Sequence, residues 1–241
     1  MQYIQGNKIG GILIACLFIA SSLQAQRFVD AGHNYLSFQS KPYYFGITLA
    51  MNSSRFRPFK SSDFLESNRI YSVESLTGPG FNLGIIGNLK LGNEFDFRFL
   101  PTLSFAERTL SYQSMLEGSM KNSIKKIESV FVELPFHLRY KSKPYKDIRL
   151  FVITGLKYGF DVASDSRSRQ ADQLIKISPN DFALEYGAGV QIFFPFFIFS
   201  PELKMSHGIG NTLLFNKSLD EATVLDKVLS RTFTISLHFE G

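Results

Sequence analysis

Phe95-Asp96-Phe97-Arg98-Phe99-Leu100-Pro101-Thr102-Leu103-Ser104-Phe105 is the stretch on which the fold turns. In an extended chain successive side chains point to opposite faces. Phe95, Phe97, Phe99, Leu103 and Phe105 therefore share one face, and Asp96, Arg98, Thr102 and Ser104 share the other. A strand with lipid on one side and a filled or wet lumen on the other has this period-two pattern.

The pattern recurs along the chain. Toward the N-terminus, Tyr43 to Ser53 sets Phe45, Ile47, Leu49 and Met51 against Gly46, Thr48, Ala50 and Asn52. Phe81 to Leu91 sets Leu83, Ile85 and Leu89 against Asn82, Gly84, Asn88 and Lys90. Toward the C-terminus, Val130, Val132, Leu134, Phe136, Leu138 and Tyr140 oppose Glu133, His137 and Arg139. Between Ile148 and Phe160, Leu150, Val152, Leu156 and Tyr158 oppose Arg149, Gly155, Lys157 and Gly159, with Phe151 and Ile153 blurring the alternation. Three further segments follow, around Phe182 to Ile192, Phe197 to Met205 and Leu229 to Phe239, whose polar faces carry Glu185, Glu202, Lys204 and His238. Eight segments is an even number, as in single-chain bacterial barrels.

The connections alternate in length. Ser54 to Thr77, the stretch from Phe105 to Val130 (with Gln113, Glu117, Lys121, Lys125 and Lys126), Ser164 to Pro179 and Gly210 to Lys227 are long and mostly polar. Gly92-Asn93, Ser142 to Lys146 and the turn at Pro195 are short. Outer-membrane barrels have short periplasmic turns and longer outer loops, so both ends of the barrel sequence fall on the periplasmic side. A soluble lipocalin-like binder has no reason to keep that alternation. Pro101, Pro135 and Pro201 fall inside strands, where proline removes a ladder hydrogen bond, so bulges or strand ends are expected at those points.

The first residues read as an export signal. Lys8 precedes the apolar run Ile9 to Ala20, and Ser21-Ser22-Leu23-Gln24-Ala25 supplies a cleavage point after Ala25. The run is too short to span a membrane as a helix, and no other stretch is long enough. Leu13-Ile14-Ala15-Cys16 resembles a lipoprotein processing box, but cleavage there would leave Leu17-Phe18-Ile19-Ala20 exposed on the mature chain. The expected organisation is a signal peptide over 1–25, a short periplasmic segment over 26–42 and an outer-membrane barrel over 43–241. Cys16 is the single cysteine, so the mature chain has no disulfide.

Lys and Arg number 26 against 21 Asp and Glu, scattered rather than gathered on one stripe, which argues against a nucleic-acid partner. The polar faces hold Arg98, Glu133, His137, Arg139, Lys157, Glu185, Glu202 and Lys204. The interior of an eight-stranded barrel is only wide enough for side chains to fill, and unpaired buried charge is costly, so these groups read as a packed ion-pair plug. The alternative is a proton or ligand site centred on Glu133, His137 and Arg139. A lipid hydrolase needs a Ser–His–acid cluster, and neither a G-x-S-x-G elbow nor metal-ligand spacing occurs. No catalytic residue, cofactor, metal or small-molecule substrate is expected. Ser54-Arg55-Phe56-Arg57-Pro58-Phe59-Lys60 mixes cations with aromatics, as either a solvated loop or a docking loop for a protein partner through Arg55, Phe56, Arg57 and Phe59.

Several stretches resemble a known group. Val132-Glu133-Leu134-Pro135-Phe136-His137-Leu138-Arg139-Tyr140 is similar to a strand motif of small outer-membrane barrels of Bacteroidota. Gly187-Ala188-Gly189-Val190 with Lys204 to Asn211 resembles the closing hairpin of that group, with His207 as a departure. Tyr44 to Thr48, Asn52 to Phe56, Gly78 to Gly84 and Arg98 to Phe105 look most like the PorT family. That resemblance implies an accessory component of the type IX secretion system, which exports proteins across the outer membrane and supports gliding in some bacteria. The partners so implied are outer-membrane lipid and other proteins of the secretion machinery. The family has no catalytic residues to carry over. The rivals are a structural or adhesive barrel without a secretion role and a lipid-modifying enzyme.

Overall fold

The protein's structure, a computed structural model, describes residues 34–60, 70–116, 119–162, 178–212 and 225–241. The expected signal peptide lies outside them. A short helix, α1 (Tyr35–Gln39), precedes nine strands: β1 (Tyr43–Lys60), β2 (Ile70–Lys90), β3 (Phe95–Phe99), β4 (Thr102–Leu116), β5 (Ser119–Lys141), β6 (Ile148–Asp161), β7 (Asn180–Phe193), β8 (Ile198–Gly208) and β9 (Leu225–Glu240). Every neighbouring pair is antiparallel, and β1 pairs with both β2 and β9, so the sheet closes on itself.

The ring has eight positions, because β3 and β4 are one strand interrupted. Gly87 opposite Phe99 and Gly84 opposite Thr102 keep one register along β2, and Phe99 opposite Phe136 and Thr102 opposite Glu133 do so along β5. The break has a chemical cause. Leu100 N donates to Pro135 O at 3.2 Å and Ile85 N to Pro101 O at 3.0 Å, but neither proline has an N–H to return. The Thr102 hydroxyl instead donates to Leu100 O at 2.7 Å, taking the place of the proton Pro135 lacks.

Of the bulges or strand ends expected at Pro101, Pro135 and Pro201, a strand end forms at Pro101, between β3 and β4, and neither forms at the other two. Pro135 lies opposite Lys157 in unbroken register, and Pro201 opposite Leu237. On the other side of Pro201, the rungs Gly189–Glu202 and Ile192–Phe199 form and the two between them do not. The ring takes up its prolines as missing rungs. The register shifts that do occur lie near Pro79, between Thr77 and Gly80, and at the far ends of β1 and β2.

The burial is inverted relative to a water-soluble fold. Met51 is 74 % exposed and Phe45 63 %, whereas Arg98 and Arg139 are completely buried. The outward apolar belt runs around the ring, from Leu49 and Leu83 through Leu103, Val132, Leu156, Leu184 and Leu203 to Leu237. Phe151 and Ile153, which blurred the sixth strand's alternation, are buried inside the ring and fill its lumen.

Among the described residues, much of two connections expected to be loops is instead strand. β1 continues to Lys60 and β2 begins at Ile70, while β4 and β5 pair out to Leu116 opposite Ser119, placing Gln113, Lys121, Lys125 and Lys126 in strands. A tilted membrane-spanning strand needs about 9–11 residues, and β5 has 23. The far halves of these hairpins lack the apolar–polar alternation that marks a strand in sequence. The connections at the other end are short: 91–94, 142–147 and 194–197. At that end α1 packs Phe38 against Phe193 and Ile198, with Lys90 Nζ donating to Phe38 O and Asn34 Nδ2 to Phe193 O at 3.2 Å.

Candidate functional site

Alternate residues of every strand point inward, so the lumen is built from the polar faces. All eight ionisable residues read from the sequence are buried there, in two clusters. In the first, Glu185 of β7 receives His137 Nε2 at 2.6 Å, Lys204 Nζ at 3.2 Å and Lys157 Nζ at 3.7 Å. Lys157 also reaches Glu133 at 2.8 Å.

The second cluster is held by two arginines. Arg98 reaches Glu240 at 2.5 Å and Glu202 at 3.4 Å. Arg139 reaches Asp96 at 2.6 Å and Glu240 at 3.6 Å, and donates to the Tyr44 hydroxyl. Lys141 joins Asp96 at 2.5 Å, and His238 Nε2 lies 3.4 Å from Glu202. Five carboxylates, Asp96, Glu133, Glu185, Glu202 and Glu240, thus face five Lys or Arg side chains, so the lumen is close to charge-neutral. Pairing offsets a desolvation penalty of several kcal/mol per ion.

Aromatic rings complete the filling. The Phe151 ring lies 5.9 Å from the Arg98 guanidinium and 5.2 Å from that of Arg139. Gly189 makes the room: a Cβ there would run into the Phe151 ring and Pro201 O. Farther toward the long hairpins, Arg108 sits between Phe56 and Phe131 at 5.2 and 4.9 Å.

Glu240, Lys141 and Tyr44 were missed by sequence reading, although each lies on an inward face. The signal was period two carried to the strand ends, since Lys141 follows Arg139 by two and Glu240 follows His238 by two.

The docking loop drawn at Arg55, Phe56, Arg57 and Phe59 is a segment of β1, paired with β9 from Arg231 to Lys227. Phe56 is buried beside Arg108, and Phe59 lies between Arg57 at 5.0 Å and Lys227 at 4.6 Å. Its outward cations are Arg55 and Arg57.

Ser206 faces inward and His207 outward, where the His207 ring stacks on Tyr186 at 5.6 Å. Ser200 lies opposite His238 in the β8–β9 register, close to Glu202 on its own strand. The Ser200 hydroxyl and His238 Nδ1 make no hydrogen bond, and both residues are completely buried. Among the described residues no group of three His, Cys, Asp or Glu could hold a metal ion.

A family model described as outer membrane protein beta-barrel domain matches residues 24–214. Among curated proteins none matches. Similar solved structures include the outer membrane protein OprG from Pseudomonas aeruginosa, at 8 % identity over 83 % of this chain and 95 % of that one, with a TM-score of 0.46. Ail, the attachment invasion locus protein of Yersinia pestis, is similar at 15 % identity over 83 % of this chain and 100 % of that one, with a TM-score of 0.35.

Proposed function

The chain belongs to the outer membrane protein beta-barrel domain family, and on that premise we propose that it is a non-enzymatic accessory component of the type IX secretion system. The resemblance to the PorT family over Tyr44 to Thr48, Asn52 to Phe56, Gly78 to Gly84 and Arg98 to Phe105 points to that system. The observation that carries the mode of action is the filled lumen. Arg98, Arg139, Glu185 and Glu202 close it with paired, buried charge, which leaves no room for a polypeptide to pass. The protein then supports export through contacts with other machinery, made by the periplasmic turns, the segment around α1 or the long hairpins. In hosts that glide, the same role extends to motility. Export of the chain itself proceeds by removal of 1–25 after Ala25.

A structural or adhesive role is the second reading, favoured by the reach of β4 and β5 past the length a membrane crossing needs. A lipid-modifying role needs a nucleophile in contact with its base, and the buried Ser200 and His238 make no such bond.

Deletion of the gene in its native host distinguishes these readings. The expected outcome is accumulation in the periplasm of proteins that carry type IX export signals, with the outer membrane otherwise intact. Normal arrival of that cargo at the cell surface sinks the secretion role and leaves the structural or adhesive one.

A further inference from the structure

Beneath α1, at the short-turn end of the barrel, a cavity of about 40 Å³ is lined in part by Tyr44, Lys90, Asn93, Lys141, Arg149 and Gln191. We propose that this cavity is a binding site for a phosphate-class oxyanion, with Lys90, Lys141, Arg149 and Gln191 as its donors. This site lies beyond the secretion reading and does not depend on it.

Two of the cations at the cavity are held by main-chain carbonyls rather than by carboxylates. Lys90 donates to the main-chain carbonyls of Phe38 and Gln39, and Arg149 to those of Ser142 and Asn93. Neither makes an ion pair among the described residues. Lys141 has a carboxylate, Asp96, but shares it with Arg139. Lys90 and Arg149 thus differ from the cations of the two lumen clusters, each of which meets a carboxylate.

Gln191 is the second, independent observation. It is 1 % exposed, faces inward from β7 and lines this cavity, which places a neutral amide beside the cations. A side-chain amide beside three cations offers an N–H to the same oxyanion that the cations attract. The volume suits a small tetrahedral anion, since one water needs roughly 10–15 Å³ of the same measure. Arg149 offers a planar fork and Lys90 and Lys141 compact ammonium groups, the two side-chain types that recognise phosphate oxygens. The phosphate can come free from solution or as the headgroup of a phospholipid in the adjoining leaflet, whose acyl chains would lie along the exposed Tyr43 and Phe95.

The test uses the refolded full barrel in detergent, titrated with inorganic phosphate and separately with a soluble short-chain phosphatidylglycerol, by calorimetry and phosphorus NMR. Chloride at equal ionic strength is the control. The site predicts saturable binding of at least one phosphate probe, weakened at least tenfold in Lys90→Gln/Arg149→Gln. Gln191→Leu, which leaves every cation in place, should weaken it severalfold while far-UV circular dichroism stays unchanged. Tighter binding of the lipid identifies a headgroup site, and equal or weaker binding a site for the free anion. Absence of saturable binding by either probe, or affinity unchanged in both variants, overturns the proposal.

Discussion

Arg98 on β3 and Glu240 on β9 meet across the lumen, Nη2 to Oε1 at 2.5 Å, although 142 residues separate them in the chain. Both side chains are buried, and Arg98 also reaches Glu202. Each charge depends on a partner brought to it by closure of the ring.

Arg98→Met should therefore destabilise the barrel by about 3–5 kcal/mol, the usual cost of stranding a buried charge. Adding Glu240→Gln to that variant should cost less than the two single losses summed, because the neutral amide no longer needs the guanidinium. Urea unfolding in detergent, followed by far-UV circular dichroism because the chain has no Trp, measures the coupling. Strict additivity would sink the pair.

Glu185 anchors three donors, His137, Lys157 and Lys204, whereas among the described residues Glu133 anchors Lys157 alone. Glu185→Gln should cost on the order of 3–5 kcal/mol, and Glu133→Gln clearly less, in the same unfolding assay. Equal losses would mean that the first cluster is not organised around Glu185.

Leu49 faces outward at the level of Leu83 and Leu237, with Phe45 and Phe239 toward one end of the barrel and the stacked Phe81–Phe105 pair toward the other. That arrangement, an aliphatic band between aromatic girdles, places Leu49 near the centre of the hydrocarbon. Leu49→Arg should cost about 2–4 kcal/mol in phospholipid vesicles, and the same change at Leu91, beyond the end of β2, about 0–1 kcal/mol. Equal costs at the two sites would misplace the membrane.

Thr102→Val removes the hydroxyl that donates to Leu100 O in place of the absent Pro135 N–H. The expected loss is about 1–3 kcal/mol for a stranded buried acceptor. Pro135→Ala restores a backbone donor at that rung, so in its presence the Thr102 change should cost much less. Faster amide exchange at Leu100 in the single variant, reversed in the double, would confirm the substitution of one donor for another.

The transmembrane part of the barrel was legible because lipid on one face and a polar lumen on the other impose a period of two, seen from Phe95 to Phe105 and again from Phe45 to Met51. The same physics hid the rest. In the far halves of β4 and β5 the sequence around Gln113, Lys121, Lys125 and Lys126 is polar without alternation, so it read as loop. Phe151 and Ile153 broke the pattern because a narrow lumen must be filled by volume as well as by charge. Eight members of the ion-pair network could be read from the inward faces, but who pairs with whom could not. The contact of His137 with Glu185, or of Arg98 with Glu240, depends on ring curvature and register that one strand's sequence does not contain. Whether Arg55, Phe56, Arg57 and Phe59 form a loop turned on the extent of β1, which the mixed cations and aromatics there do not reveal.

The ring closes where β1 meets β9, with Gly46 opposite Glu240 and Ile47 opposite Phe239. The seam thus joins the earliest described strand to the latest, the most non-local pairing among the described strands, and such contacts form slowly. Until β9 arrives, Arg98 and Arg139 lack Glu240, and the edges of β1 and β8 lie open. An intermediate that lacks β9 therefore carries exposed hydrogen-bonding edges and two guanidinium groups each short of one carboxylate, Arg98 left with Glu202 and Arg139 with Asp96, both features disfavoured in hydrocarbon. Insertion and closure are in this way tied to one another: the strand that seals the wall also delivers the carboxylate, so a half-assembled barrel is penalised twice by the lipid it must enter.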